Sequence, residues 1–284
     1  VKVSGSMNNS GKDILDKMLV NAEFLNNNEA GQGIVAPQDV LNGKSADVLG
    51  PTHEVGEGVF VLNNDELESL CLQNAEKIIV KPYYTAEEMS KYTKIKENRK
   101  WILYCDSDMN SNIENFPNIK KHLDKYFDII TSSNKPYGLH RARNEELFQN
   151  EKILSLRKCS EPTFTYVNED SYVSQSYYII KTKRFDNMYL TGLFNSKLIK
   201  FWLHFQGKMQ GDNYQIDKEP ITGIPIAIPN GTIQNNIALL VNNVINCKLD
   251  KKDTNALEHE LDALVYELYS LDKEDIKIIE RSIN

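Results

Sequence analysis

Only four cysteines occur in these 284 residues, Cys71, Cys105, Cys159 and Cys247, and no two of them stand in a CxxC pair. That usage excludes a disulfide frame and a cysteine zinc site, and it fits the reduced thiols of the cytoplasm. No run of about 18 apolar residues is present, so no segment reads as a membrane-spanning helix. No basic region followed by an apolar stretch opens the chain, so a secretory signal is not expected. His53, His122, His140, His204 and His259 form no H-E-x-x-H or other paired metal spacing. A G-x-S-x-G nucleophile elbow is missing as well. Positive charge is outnumbered by negative, 33 to 40. The formal net charge is −7, which argues against a simple nucleic-acid binder, because phosphates are neutralised by Lys and Arg.

That charge is unevenly spread. Over residues 250–284 ten acidic side chains stand against five basic ones, a net of −5. Over residues 140–208 eleven basic side chains outnumber seven acidic ones, a net of +4. A basic middle beside an acidic tail is compatible with a DNA groove confined to one face. The length allows one large domain or two modest ones, and the opening VKVSGSM reads as a cut edge, so a fragment is expected.

The clearest periodicity lies at the end. Leu257, Leu261, Leu264, Val265 and Leu268 fall on one apolar stripe of a helix, with Glu258, Glu260, Asp262 and Glu267 off it. Asp272 stands where a cap is needed before Ile276, Ile279 and Ile283. Upstream, Ile233, Ile237, Leu240, Val241, Val244 and Ile245 predict a helix capped by Thr232 that packs against the last stripe as a hairpin. Helical spacing also predicts helices over 12–26, 117–126 and 189–205. Strands are predicted at 59–62, with Asn64 or Asp65 capping a short helix after it, at 78–84 running into a turn and a helix, and at 100–107. Further strands are predicted at 152–157, 164–167 and 177–180. Residues 206–214 read as a polar loop, and 221–229, with Pro225 and Pro229, as a linker-like edge strand. The fold class expected is α+β: a twisted mixed β-sheet with flanking helices and a C-terminal helical hairpin.

Gly31, Gly33 and Ala36 imitate a dinucleotide fingerprint. That fingerprint must follow a strand and open a helix, whereas a predicted helix precedes this one and Pro37 follows it. The densest chemistry is in residues 136–180, where a turn carries His140, Arg141 and Arg143 and the strands after it carry Lys152, Arg157 and Lys158. Arg forks onto guanine or a phosphate, and Lys supplies a point charge. The competing reading is solvated strand faces paired with Glu145, Glu146 and Glu151.

Several stretches carry a resemblance. LEHELDALVYELYSL followed by an acidic capped helix ending in Ile-Ile-Glu resembles the C-terminal end of large type II restriction–modification polypeptides. GEGVFVLNNDEL, IIVKPYYTAEEMSKY, WILYCDS and FPNIKKHL resemble, in that order, the TaqI-like specificity domain of the same enzymes. The His140-Arg141-x-Arg143 stretch and Gly192-Leu-Phe-Asn-Ser-Lys-Leu are similar to that family as well. The resemblance implies a target-recognition domain over 28–228, after a leading helix and linker (1–27) and before a C-terminal helical segment (229–284). It implies double-stranded DNA as partner, contacted by Lys81, Tyr83, His140, Arg141, Arg143, Lys152, Arg157, Lys158 and Lys208. It also implies methyltransferase and nuclease domains in the same parent polypeptide, using S-adenosylmethionine and Mg²⁺. No such chemistry is expected here. The nearest string to a methyltransferase Asn/Asp-Pro-Pro-Tyr/Phe loop is Lys81-Pro82-Tyr83-Tyr84, and the D-x-K spacings at Asp250 and Asp275 sit in a polar connection and on a helix. Two rival readings are a protein-interaction scaffold docking through the helical hairpin, and half of a type I specificity subunit.

Overall fold

The computed structural model describes residues 9–95 and 97–283; the opening VKVSGSM lies outside them. Helix α1 (Asn9–Leu19) is followed by β1 (Ala22–Glu23), β2 (Ala30–Gln32), α2 (Gly43–Leu49), β3 (Val61–Leu62), α3 (Asn64–Ser69), β4 (Val80–Tyr84) and β5 (Lys100–Leu103). Then come α4 (Met109–Asn112), α5 (Pro117–Asp124), β6 (Lys152–Leu156), β7 (Lys158–Cys159), β8 (Phe164–Val167), β9 (Tyr172–Val173) and β10 (Tyr177–Ile180). The remainder runs α6 (Asn187–Asn195), α7 (Lys197–Gln206), β11 (Lys208–Gln210), β12 (Asn213–Gln215), α8 (Lys218–Thr222), β13 (Ile226–Ala227), α9 (Gly231–Leu249), α10 (Asn255–Leu268) and α11 (Lys273–Ser282). The fold is α+β.

The sheet ordered β2-β10-β6-β8 is antiparallel throughout and forms a wall between two hydrophobic clusters. Alternation along the strands explains how. Ile153 and its partner Ile180 point into one cluster, with α1, α6, α7, α9 and α10; Leu154 and its partner Ile179 point into the other, with Phe60, Tyr83 and Leu103. A strand buried on both faces loses the polar–apolar alternation of a half-exposed one, and β6 reads Lys-Ile-Leu-Ser-Leu accordingly. The second cluster is backed by the sheet β3-β5-β4-β9, where β4 and β9 run parallel. The first cluster holds Ile14 from α1 and Ile279 from α11 alike, so it crosses both segment boundaries expected from the sequence.

The C-terminal pattern is realised. Leu261 and Val265 are fully buried, Leu257, Leu264 and Leu268 pack against the same cluster, and Asp272 caps α11 by accepting from Glu274 N and Asp275 N. Other expectations need correction. Helix α1 stops at Leu19 because Asn21 turns left-handed (φ 55), and Phe24 is left exposed. The stretch expected as one helix over 189–205 is two, because Ser196 leaves the helical region (ψ 157) and its hydroxyl caps α7 through Ile199 N. No helix follows Tyr84 directly; Met89 instead bridges Lys94. The caps of α3 and α9 are Asn63 and Asn230, each just upstream of the residue expected. Residues 206–214 are no loop: β11 and β12 form a hairpin that turns at Gly211, whose φ of +61 suits glycine.

Candidate nucleic-acid interface

Two of the nine predicted contacts lie in the core. Tyr83 faces the second cluster, and Lys152, with no exposed surface, donates from Nζ to the carbonyls of Asn150 and Glu169, both at 2.6 Å. Burial without a carboxylate partner pushes the Lys152 ammonium down to about 7. Its task here is to tie two loops together. Lys81 is committed as well, to Glu145 at 2.8 Å and over the Tyr172 ring. His140 is half-buried, and its Nδ1 lies 3.5 Å from Ser133 N.

The other five converge on one strip. Arg141 is exposed and, among the described residues, its guanidinium has no hydrogen-bond or ion-pair partner in the protein. Arg143 is half-buried: Nε donates to Gly33 O at 3.1 Å and Nη2 to Gln32 Oε1 at 2.7 Å. Burial and the nearby Arg141 both hold the Arg143 guanidinium below its ordinary value. Gln32 pairs in register with Tyr178 on β10, and the Tyr178 ring lies in electrostatic reach of both Arg143 and Lys208. Arg157 closes the row, bonded to Asp217 at 2.6 Å, with its backbone N–H on Ser176 O.

The far end of this strip is the small sheet β11-β12-β7. Its inward residues, Met209, Tyr214 and Cys159, join the first cluster. Its outward residues are polar throughout. Lys208, Gln215 and Lys158 stand in one cross-strand row, and Gln210 stands opposite Asn213. Lys208 holds Glu219 at 3.0 Å, an exposed pair, while Lys158 has no ion pair among the described residues. Sequence reasoning missed Gln210, Asn213 and Gln215. The signal present was the alternation Lys208-Met209-Gln210 and Asn213-Tyr214-Gln215 about a glycine turn, too short to outweigh the polar composition.

The family of TaqI-like C-terminal specificity domains matches residues 77–226, from just before β4 to β13. This chain belongs to that family. Among solved structures, the fold is similar to the type IIL restriction–modification enzyme MmeI, determined in complex with DNA, at 12% identity and a TM-score of 0.63. That match covers 90% of this chain and 35% of the MmeI chain. The type IIG restriction endonuclease BpuSI matches at 14% identity and a TM-score of 0.48, over 93% of this chain and 34% of that one. The chain thus spans about a third of the length of the enzymes it matches.

Lys81-Pro82-Tyr83-Tyr84 is strand β4, with Pro82 in register with Trp101, and so is not a loop that could cradle an extruded base. Among the described residues no three His, Cys, Asp or Glu side chains are grouped to hold a metal ion. Neither D-x-K spacing joins such a group. Among the described residues no helix is long and apolar enough to cross a membrane.

Proposed function

We propose that this chain is the target-recognition module of a restriction–modification polypeptide and seats double-stranded DNA along the strip from Arg141 to Lys158. The observation that carries the reading is a basic row in a chain whose net charge is −7: Arg143 is bonded to Gln32 and Gly33 beside the exposed Arg141, Arg157 follows β6, and Lys208 and Lys158 share a cross-strand row. A local basic field on an acidic protein steers a polyanion to one face. Phosphate contacts seat the duplex and base contacts choose among sequences. Arg141, unpaired and exposed, is free for either. Lys208 holds a carboxylate that a phosphate can replace, since exposed pairs contribute at most about 1 kcal/mol, whereas Arg157 is tied to the half-buried Asp217. In this reading adenine methylation from S-adenosylmethionine and Mg²⁺-dependent cleavage are carried out by other domains of the parent polypeptide.

The test is duplex binding by the purified chain. A module acting without the phosphate contacts of its parent enzyme is expected to bind with Kd of roughly 10⁻⁴ to 10⁻⁶ M at physiological salt and more tightly at low salt. Absence of binding at low salt overturns the reading.

A further inference from the structure

Resting on that reading, we propose that the outward face of the β11-β12-β7 sheet reads adenine in A·T base pairs through Gln210 and Asn213, with Lys208 and Lys158 holding the flanking phosphates. Register and alternation place these side chains together. Gln210 is opposite Asn213, and Lys208, Gln215 and Lys158 form the next row. Directly opposed residues of an antiparallel pair stand about 4.5–5.5 Å apart at Cβ, so the two amides lie side by side.

The chemistry selects the ligand. A carboxamide offers an acceptor oxygen and a donor NH₂ in the spacing that adenine presents in the major groove, with N6–H donating and N7 accepting. Gln210 and Asn213 have no side-chain partner among the described residues, so both functions of each amide are available. Gln215 differs: its Nε2 donates to Asp217 Oδ2 at 2.6 Å, leaving the amide oxygen for a ligand. A two-stranded ribbon fits a major groove about 12 Å wide, and the tight turn at Gly211 keeps the tip of this one narrow. The lysines stand one row further from the turn, on the two outer strands either side of Gln215, placed for the phosphates that border the groove. Lys208 must exchange Glu219, whose side chain is 84% exposed, for a phosphate; Lys158 has nothing to exchange.

The experiment uses the 284-residue chain against a randomised duplex library at two salt concentrations. The parent is expected to prefer A·T at one or more positions. Gln210→Ala and Asn213→Ala should each lower that preference about tenfold without changing the salt slope. Lys158→Ala and Lys208→Ala should weaken binding to all sequences alike and flatten the slope of log K against log salt by about 0.9 each. Replacing adenine by 7-deazaadenine, which lacks the N7 acceptor, should weaken binding by the parent but not by the Gln210→Ala, Asn213→Ala double variant. If the parent binds duplex DNA without any A·T preference, or keeps it in both amide variants, this face is not the reader, and recognition through the arginine end of the strip still stands. If the parent does not bind at low salt, the recognition reading fails and this inference with it.

Discussion

Arg143 donates from Nε to the carbonyl oxygen of Gly33 at 3.1 Å while its own backbone sits in the left-handed region at φ 74. The bond fastens the 140–150 loop to the end of β2. Gly33 reaches that position because it has no side chain: a Cβ there would lie 2.1 Å from the Ser174 carbonyl oxygen. The resemblance of Gly31, Gly33 and Ala36 to a nucleotide-binding fingerprint therefore has a packing origin. It also splits the duties of two arginines that stand almost next to each other. Arg143 braces the loop, and Arg141 faces water.

Substitutions should separate those duties. Arg143→Ala removes two hydrogen bonds and leaves the Gly33 carbonyl without its donor, so a loss of about 1–2 kcal/mol of stability is expected. Arg141→Ala should leave the melting temperature of the parent unchanged. In duplex binding it should flatten the salt slope by about 0.9 if the contact is to phosphate, or relax one base position at a cost of about 1–3 kcal/mol if it is to a base. Thermal melts of both variants beside salt titrations check the assignment. Equal melting losses would show that Arg141 is structural as well.

Lys152 gives a pH dependence of unusual sign. Its ammonium titrates near 7 in the folded chain, against an ordinary value of 10.5. Between those values the unfolded chain holds the proton more tightly, so this group makes stability rise with pH above about 7. Below 7 both states are protonated, and the full cost of a buried cation remains. Denaturant unfolding at pH 6, 7.5 and 9 should show that rise in the parent. Lys152→Met should flatten it, whatever the change in absolute stability.

Glu76 makes stability rise with pH as well, but in an acidic window and through a favourable charge. Its buried carboxylate accepts from Asn118 N at 2.7 Å and Ile119 N at 3.2 Å, and so caps the N-terminal turn of α5 from a distant part of the chain. Burial alone would raise its value, but these bonds, with those from Gln73 N and the Asn118 amide, outweigh burial and hold it below 4.5. Its contribution is present above about pH 4.5 and is lost as pH falls through the lowered folded value. Glu76→Gln should cost about 2–3 kcal/mol at neutral pH. Urea unfolding should find a smaller difference at pH 3.

Packing at the C-terminal helices sets a graded expectation. Leu261→Asp places a charge at a fully buried site beside Gly192 and should cost more than about 3 kcal/mol. Leu264→Asp, at a half-buried site on the same helix, should cost less. Gly192→Ala brings a Cβ within 2.7 Å of Ile237 Cγ2 and 2.9 Å of Val241 Cγ2, where α6 meets α9, and overpacking of about 1–3 kcal/mol is expected. Calorimetric melts in that rank order check the buried stripe. If Leu264→Asp melts like the parent, that position is a surface.

Where periodicity was long or strands were apolar, the sequence was a good guide. Strands β8 and β10 begin and end at the residues expected, and the stripe from Leu257 to Leu268 packs against the first cluster as its spacing requires. Local hydrogen bonding defeated the rest. Ser196 competes for the backbone and divides a periodic stretch that reads as continuous. Asn21 and Gly211 reverse the chain where composition shows only polarity. Lys152 reads as a surface charge because lysines usually are; nothing in its own neighbourhood announces that Asn150 and Glu169, seventeen positions or fewer away, supply two carbonyls to receive it. Of the interface, the arginine cluster was visible as a run of charge, whereas the amide row exists only once β11, β12 and β7 are paired.

Ile153 and Leu154 are neighbours in sequence yet belong to different hydrophobic clusters. A wall shared in this way ties the two clusters together, so the chain is expected to unfold as a unit, and cutting it before α9 strips the cover from α6 and from the sheet behind it. The outward residues of the β11–β12 hairpin belong to neither cluster. Their identities are free to drift with little loss of stability, while the strands of the wall are held from both sides, neighbouring residues such as Ile153 and Leu154 facing opposite clusters. In the reading proposed above, new target sequences are acquired by rewriting a few exposed letters of this chain, and transplanting the module into another polypeptide requires all of it, C-terminal helices included.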